Sequence, residues 1–161
     1  IFVVGDTTLV SALIEGDYPD YERAIPAQTS INLKVDTGRL LSAARRMAQV
    51  ANPKMPYVMI EARGSKLTVS ASSPYVGDGC EDMDISHEGD DINVALNIRY
   101  LMDALSAIDT QETLIGINGS VLPVVIKPSS GNHLCVLMPI RVTDTRQPPP
   151  EDSGAQEGDE T

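Results

Sequence analysis

The chain contains an internal repeat, which constrains its fold more than any other feature of the sequence. The stretch INLKVDTGRLLSAA (residues 31–44) aligns with INVALNIRYLMDAL (residues 92–105) at an offset of 61 residues. In each copy the alternating apolar residues of a short strand lead to a capping side chain, Asp36 or Asn97, and then to apolar residues at helical spacing. The sequence therefore predicts two copies of one strand-helix unit.

Three strand-like runs follow each predicted helix. They are YVMIEAR, KLTVSAS and CEDMDISHE after the first helix, and TLIGIN, LPVVIKP and HLCVLMPI after the second. Two such strand-helix-three-strand units predict an α+β domain over residues 27–142, with pseudo-twofold symmetry and two helices packed on antiparallel sheets. The apolar stripes expected to face the core are Leu40, Leu41, Ala44, Met47, Ala48 and Ala51 in the first helix, and Tyr100, Leu101, Ala104, Leu105 and Ile108 in the second.

Two further segments flank this domain. Residues 1–26 are predicted to form a hairpin of a preceding module, followed by a linker, EGDYPDYERAIP (residues 15–26), that is neither helix nor strand. Pro19 fixes its own backbone angle and favours an extended Tyr18, so the linker should be a stiff apolar loop. Residues 143–161 form an acidic stretch without apolar periodicity and are predicted to be disordered. Because the chain opens without an initiator methionine, we expect it to be a segment of something longer.

The net charge of −11 argues against a surface that holds phosphates by bulk attraction, because such binding depends on clustered lysines and arginines. No run of apolar residues is long enough to predict a membrane span. The cysteines, Cys80 and Cys135, lie in apolar or strand-like stretches and are expected to be reduced core residues. These features together predict a cytoplasmic protein.

The sequence offers little support for an enzyme. His87 and His133 are isolated in strand patterns, so neither is expected to bind a metal. Glu81 and Asp82 are adjacent in a predicted strand and should face opposite sides, while Asp82 and Asp84 share a face without a partner base. The NGS stretch at residues 118–120 matches a glycosylation acceptor, which a cytoplasmic protein would not use. We therefore predict a protein without catalysis, cofactor or metal.

Four features in the expected order resemble the family of bacterial DNA polymerase III beta sliding clamps. They are the duplicated unit, the linker EGDYPDYERAIP, the helix start NIRYLMDAL and the terminal MPIRV. The resemblance implies the third domain of a DNA-clamp fold, preceded by the last hairpin of the second. It also implies a replication processivity factor: a homodimeric ring that encircles duplex DNA without reading its sequence. Replicative and repair polymerases and the clamp loader would then bind it through short peptide motifs.

The resemblance also implies which residues would bind those peptides. The groove would be lined by Pro19, Arg23 and Ala24 from the linker, Asn97 and Tyr100 from the second helix, Pro123, and Val136, Met138, Pro139, Ile140 and Arg141 from the last strand. Rigid proline and tyrosine with polarizable methionine suit an adaptable apolar groove. Without the resemblance, Met138 and Ile140 would be ordinary core residues and Arg141 a solvated end.

Two further surfaces are implied. Arg39 and Arg46 are seven residues apart and share a helical face, expected to lie opposite the apolar stripe and to face DNA. Ring closure would involve a helix end and a strand edge through Gln49, Val50, Asp78, Glu81 and Asp82. In the absence of the resemblance, both sets are solvated surface residues. The alternative function is a clamp-like adaptor that binds peptides but never closes a ring.

Overall fold

The structure, a computed structural model, describes residues 1–142 of the chain. Its two helices are α1 (Thr37–Val50) and α2 (Ile98–Ser106), and a short 3₁₀ helix covers Tyr21–Ala24. Neither helix is long and apolar enough to cross a membrane. The strands are β1 (Phe2–Val4), β2 (Thr7–Leu9), β3 (Ile31–Asp36), β4 (Tyr57–Arg63), β5 (Lys66–Ser73), β6 (Gly77–Asp84), β7 (Ser86–Glu88), β8 (Ile92–Asn97), β9 (Glu112–Ile117), β10 (Val124–Pro128) and β11 (Cys135–Leu137).

The two repeated units exchange their first strands. The four-stranded sheet has the order β6-β5-β4-β8, and the five-stranded sheet has the order β11-β10-β9-β3-β7. Thus β8, which opens the second unit, pairs with β4 of the first, while β3, which opens the first, pairs with β9 of the second. Both pairings are antiparallel, and they place Asp36 opposite Glu112 and its counterpart Asn97 opposite Tyr57. The predicted α+β fold with a duplicated unit is confirmed.

Each strand-helix joint is closed by the side chain that the sequence predicts as its cap. The Asp36 carboxylate accepts a hydrogen bond from the Arg39 amide at 2.8 Å. The Asn97 side-chain oxygen accepts bonds from the amides of Arg99 at 2.9 Å and Tyr100 at 3.3 Å. These bonds satisfy amides that have no partner within the helix, so each helix begins directly where its strand ends.

The core lies between the two sheets and the helices, which contact each other and strands of both sheets. Leu40, Ala44, Met47 and Ala51 of the first predicted stripe are buried, while Leu41 and Ala48 are partly buried. In the second stripe Leu101, Ala104, Leu105 and Ile108 are buried, but Tyr100 is 65% exposed. The expectation for Tyr100 as a core residue is wrong, because the buried face of α2 is centred on Ile98, Leu101 and Leu105.

The run CEDMDISHE does not form the single strand that its pattern predicts. It divides between β6 and β7, which belong to different sheets. At the crossing point the Ile85 amide donates to the Ser65 carbonyl at 2.9 Å. The His87 ring nitrogens lie 2.8 Å from the Gly64 carbonyl oxygen and 3.1 Å from that of Asp90, so this side chain ties β7 to two neighbouring turns. Such long-range contacts, rather than strand propensity, fix where the chain changes sheets.

Two local expectations also need correction. Cys80 is exposed on β6 and is therefore not a core residue, because β6 pairs with β5 alone and forms an edge of its sheet. Cys135 is half-buried, and both cysteines are free. The linker is partly helical, since the 3₁₀ helix Tyr21–Ala24 lies within it. Residues 143–161, predicted to be disordered, lie outside the described part of the chain.

The predicted N-terminal hairpin forms a separate two-stranded sheet. Phe2 pairs with Leu9 and Val4 with Thr7, around a turn in which Gly5 has a φ of 56°. Every residue of β1 and β2 is exposed, including Phe2, Val3 and Val4. An isolated two-stranded hairpin is marginally stable at best in water, so the exposure of this apolar hairpin within residues 1–142 indicates that it needs a further packing partner.

A buried pair of hydroxyl groups connects the two repeated units. The Thr37 and Thr113 hydroxyl oxygens are 2.8 Å apart, and both side chains are buried. Thr37 opens α1 of the first unit, whereas Thr113 belongs to β9 of the second. The two hydroxyls form a hydrogen bond with each other in the buried interior. Loss of one therefore leaves the other as a buried polar group without a hydrogen-bond partner.

Thr37→Val is expected to lower the free energy of unfolding by about 1–3 kcal/mol, because the Thr113 hydroxyl loses its partner. Thr113→Val should cost a similar amount. The double variant should lose clearly less than the sum of the two, since it removes both hydroxyls together. Urea unfolding of the four proteins measures this coupling, with Thr7→Val in the exposed hairpin as a control. Strictly additive losses would contradict the assigned pairing.

Candidate functional site

The linker exposes two tyrosine rings beside an ion pair. The rings of Tyr18 and Tyr21 meet edge to face with centroids 6.3 Å apart. Arg23 forms an ion pair with Asp20 at 2.9 Å, and Pro19 and Ala24 are exposed. Both side chains of the ion pair are largely in water, so the pair is weak and Arg23 can turn toward an incoming ligand.

The end of the chain's last strand leaves the sheet and crosses to the other sheet. Val136 of β11 pairs with Val125 of β10, and the buried Leu137 pairs with Val124. After β11 the Ile140 amide donates a hydrogen bond to the Ala95 carbonyl of β8 at 2.8 Å. The segment 138–141 therefore connects an edge of the five-stranded sheet to an edge of the four-stranded sheet.

Within that segment Met138 is 62% exposed, which excludes the interpretation of this residue as ordinary core. Pro139 and Ile140 are half-buried and Arg141 is exposed. An exposed methionine between a buried strand residue and a half-buried proline presents flexible apolar surface to solvent. Met138 is therefore not a core residue, whereas its neighbour Leu137 is buried.

The register brings several other predicted groove residues to this segment. Pro123 directly precedes Val124, whose partner is Leu137, so Pro123 lies near Met138. Asn97 follows Ala95 by two residues, and its side chain caps α2 at the turn that carries Tyr100. The tyrosine ring is exposed there. Among the described residues, no hydrogen bond or ion pair joins residues 18–24 to residues 136–141, so the meeting of the two groove walls stays a prediction.

A second cluster forms where α1 packs on β6. A Cβ atom on Gly79 would lie 3.2 Å from the Met47 sulfur and 3.3 Å from Val50 Cγ2, so glycine permits close packing of the helix end. Arg46 binds Glu81 through two hydrogen bonds, one of them 2.8 Å long from Nε to Oε2. The structure thus brings together residues that the sequence assigned to separate surfaces, one facing DNA and one closing a ring.

The position of Arg46 corrects the expected direction of its helical face. The Arg39–Arg46 face lies on the flank of α1 toward β6 rather than opposite the buried stripe. The residue that points away from the core is Arg45, which is exposed, as are Gly38 and Gln49 on the same face. The orientation of Arg45 could have been predicted from the sequence. Successive residues of a helix are rotated by about 100°, which places position 45 opposite the buried face formed by Leu40, Ala44 and Met47.

The two faces of β6 differ in their partners, as the alternation predicts. Glu81 points toward α1, whereas the Asp82 carboxylate accepts hydrogen bonds from the Thr68 hydroxyl at 2.7 Å and Lys66 at 3.3 Å. These bonds lower the pKa of Asp82, the Thr68 bond most strongly. Asp78 is exposed near the start of the strand. Of the three predicted interface acids, two are therefore already engaged within the chain.

The Arg46 side chain lowers the pKa of Glu81 mainly through its hydrogen bonds, and the charge of Arg39 acts in the same direction.

Elsewhere, the His133 Nε2 lies 3.3 Å from the sulfur of Cys135, and partial burial raises the pKa of that thiol. Within residues 1–142 no three His, Cys, Asp or Glu side chains are placed to share a metal ion.

The fold is that of the DNA polymerase sliding clamps. The structure resembles the DNA polymerase III subunit beta of Pseudomonas aeruginosa with a TM-score of 0.78 and 25% identity, over 82% of this chain and 37% of that one. It resembles the beta subunit of Thermotoga maritima with a TM-score of 0.77 and 26% identity, over 80% of this chain and 35% of that one.

The sequence comparisons agree with the fold. The chain is 32% identical to a beta sliding clamp of Staphylococcus aureus over 144 residues and 31% identical to that of Synechococcus elongatus over 145. It spans 38% and 39% of the length of those relatives, and 88% of its own length is aligned. Residues 22–141 match the family model described as DNA polymerase III beta subunit, C-terminal domain. The chain belongs to this family.

Glu81→Gln is expected to lower the melting temperature near neutral pH by about one to three degrees, since it weakens an exposed pair. A carboxyl whose pKa is lower in the folded state stabilises the fold above its unfolded pKa and loses that contribution as the pH falls through the folded value. The difference between variant and wild type should therefore close as the pH drops below 4.5, the ordinary value for glutamate.

Thermal unfolding across this range measures the effect. The matched control is Asp78→Asn on the same strand, whose exposed side chain makes no hydrogen bond within residues 1–142. Asp78→Asn should show no such convergence. A difference between Glu81→Gln and wild type that is constant with pH would contradict the assigned role of the pair.

Proposed function

We propose that this chain supplies the third domain of a ring-shaped sliding clamp, a processivity factor that encircles duplex DNA and tethers polymerases without catalysis. The observation that carries the proposal is the match of residues 22–141 to the C-terminal domain of the DNA polymerase III beta subunit. In this assignment residues 27–142 are the third domain and residues 1–26 are the final hairpin of the second domain with its linker. Residues 143–161 are an acidic tail, and the protein acts in the cytoplasm.

The exposed hairpin supports that division of the chain. Its apolar residues Phe2, Val3 and Val4 pair with β2 and are all exposed in the described part of the chain. A hairpin of this composition is stable when it continues a larger sheet. The second domain of the clamp would provide that sheet.

Polymerases would bind at a groove between the linker and the segment 138–141. Met138 and Tyr100 give it exposed apolar surface, and Pro123 and Pro139 give it rigid walls. Arg23 and Arg141 lie at its two sides as exposed cations that can orient a peptide backbone or a carboxylate. Rigid residues lose little entropy when a ligand binds, which is why a small groove of this kind can bind a short peptide.

Met138→Ala combined with Pro19→Ala is expected to weaken binding of a short polymerase-derived peptide by about 1–3 kcal/mol in total, because both walls lose apolar contact. Calorimetric titration measures the change. Met55→Ala is a suitable control, since Met55 is also an exposed methionine but lies in the loop between α1 and β4. Equal affinity of the double variant and the wild type would refute the assigned groove.

DNA would be retained by closure of the ring, so the acidic chain needs few phosphate contacts. Arg39 and Arg46 were the sequence-based candidates for those contacts, but Arg46 is already bound to Glu81. We therefore assign the contacts to Arg39, to Arg45 on the outer face of α1, and to Arg99 on the outer face of α2. A few such cations permit weak, salt-sensitive contacts that allow sliding.

In a full-length ring, Arg39→Ala with Arg45→Ala is expected to shorten the lifetime on linear duplex DNA, from whose ends the ring can slide, at low salt and to have little effect at high salt. The slope of log lifetime against log salt should fall by about one for each phosphate contact removed. Arg63→Ala on β4 serves as the control. If the double variant slides off no faster at low salt, these arginines are solvated surface residues.

Ring closure would use the free edge of β6 and the end of α1 beside it. Gly79 brings Val50 against the strand, so the apolar helix end and the strand edge form one continuous surface with Gln49 and Asp78. The Arg46–Glu81 pair holds these two elements together. A full-length protein that remains monomeric in solution but binds the peptide would favour the adaptor function instead.

A further inference from the structure

The side chain of Asn118 holds the segment that connects the linker to the domain. Its Oδ1 accepts a hydrogen bond from the Ser30 amide at 2.8 Å, and its Nδ2 donates to the Gln28 carbonyl at 2.7 Å. The two partners lie on either side of Thr29. Asn118 directly follows β9, at the point where the pairing with β3 ends at Ile31 and Ile117. The carboxamide therefore makes the two hydrogen bonds that a backbone peptide group would make if β9 continued beside residues 28–30.

A glycine beneath the same segment allows it to lie close to the sheet. A Cβ atom on Gly116 would be 2.7 Å from both Cγ2 and Oγ1 of Thr29, closer than such atoms approach in proteins. Gly116 does not have a positive φ, so the backbone itself would accept another residue. Glycine is needed at position 116 because any side chain there would collide with Thr29.

Thr29 is also held from its other side. Its hydroxyl donates to the Asn32 side-chain oxygen at 2.7 Å, and the Asn32 Nδ2 donates to the Thr29 carbonyl at 3.2 Å. The preceding residues differ, because residues 11–24 are all exposed and their hydrogen bonds and ion pairs within residues 1–142 are local. The linker thus leaves the domain at one defined point.

We propose that Asn118 is a positioning residue that anchors the linker and thereby sets the location of the groove wall at Pro19–Ala24. The inference rests on the proposed peptide groove. Gln28 is the fourth residue after Ala24, so the near end of the wall at Ala24 lies within about 14 Å of the anchor along the chain. Release of the anchor would let the wall move away from the segment 138–141, and a peptide would then have to order it again on binding.

The chemistry of the anchor requires a carboxamide. One partner, the Ser30 amide, is a donor, and the other, the Gln28 carbonyl, is an acceptor, so the side chain must accept at one atom and donate at the other. The substitution Asn118→Asp keeps the size of the side chain but places a second oxygen against the Gln28 carbonyl. It is therefore an isosteric probe of the anchor, whereas Asn118→Ala removes both bonds.

The test compares the full chain with its Asn118→Asp, Asn118→Ala and Gly116→Ala variants by two measurements. The first is amide hydrogen exchange at Ser30, which reports the anchor without any peptide. The second is the affinity, by fluorescence anisotropy, for a short labelled polymerase-derived peptide. Asn132→Ala is the control, because Asn132 is exposed and its side chain makes no hydrogen bond within the described residues. Exchange at Leu33 in β3 verifies that each variant is folded.

For Asn118→Ala we expect exchange at Ser30 to be about tenfold faster with Leu33 unchanged, and peptide affinity to fall about three- to tenfold. Gly116→Ala should give the same pattern by displacing Thr29. Unchanged exchange at Ser30 would overturn the anchor, and faster exchange with unchanged affinity would overturn its positioning role. If the wild-type chain does not bind the peptide, the proposed groove is wrong, and exchange at Ser30 alone decides whether Asn118 anchors the linker.

Discussion

The structure depends on the exchange of first strands between the two repeated units. Because β3 completes the sheet of the second unit and β8 completes that of the first, neither unit can satisfy its strand edges alone. The exchange also brings the Thr37 hydroxyl of one unit against that of Thr113 in the other, in a region from which water is excluded. A duplicated sequence therefore folds as one domain rather than as two linked copies, and every surface of interest is positioned by that single core.

The surfaces proposed for docking lie where this arrangement leaves sheet edges incomplete. The segment after β11 crosses from one sheet to the other through the bond between Ile140 and Ala95, and the crossing leaves Met138 in solvent beside the start of α2. At the far edge of the four-stranded sheet, β6 has a partner on one side only. The scaffold holds both edges rigid while leaving their side chains accessible, which is what binding with little loss of entropy requires.

Internal ion pairs change what the charges of this chain can do. Arg46 and Glu81 are separated by 35 residues, and a reading of the sequence assigns them to different partners. In the fold they bind each other, so the positive charge on α1 that is left for phosphates is smaller than the count of arginines suggests. For a chain with a net charge of −11, this is consistent with the proposed retention of DNA by ring closure more than by attraction.

The strand-helix joints and the helices could be predicted from the sequence, because they arise from interactions between neighbouring residues. The two strand-helix joints follow from Asp36 and Asn97, and the helices follow from apolar spacing, because capping and amphipathic periodicity act over a few residues. The sheet that each strand enters and the exposure of Cys80 and Tyr100 could be seen only in the fold. The same holds for the hydrogen bonds of Asn118 to Gln28 and Ser30, which are 90 and 88 residues away in the sequence. The physical reason is that such contacts depend on the pairing of distant strands, which leaves no periodic signal in the chain that forms them.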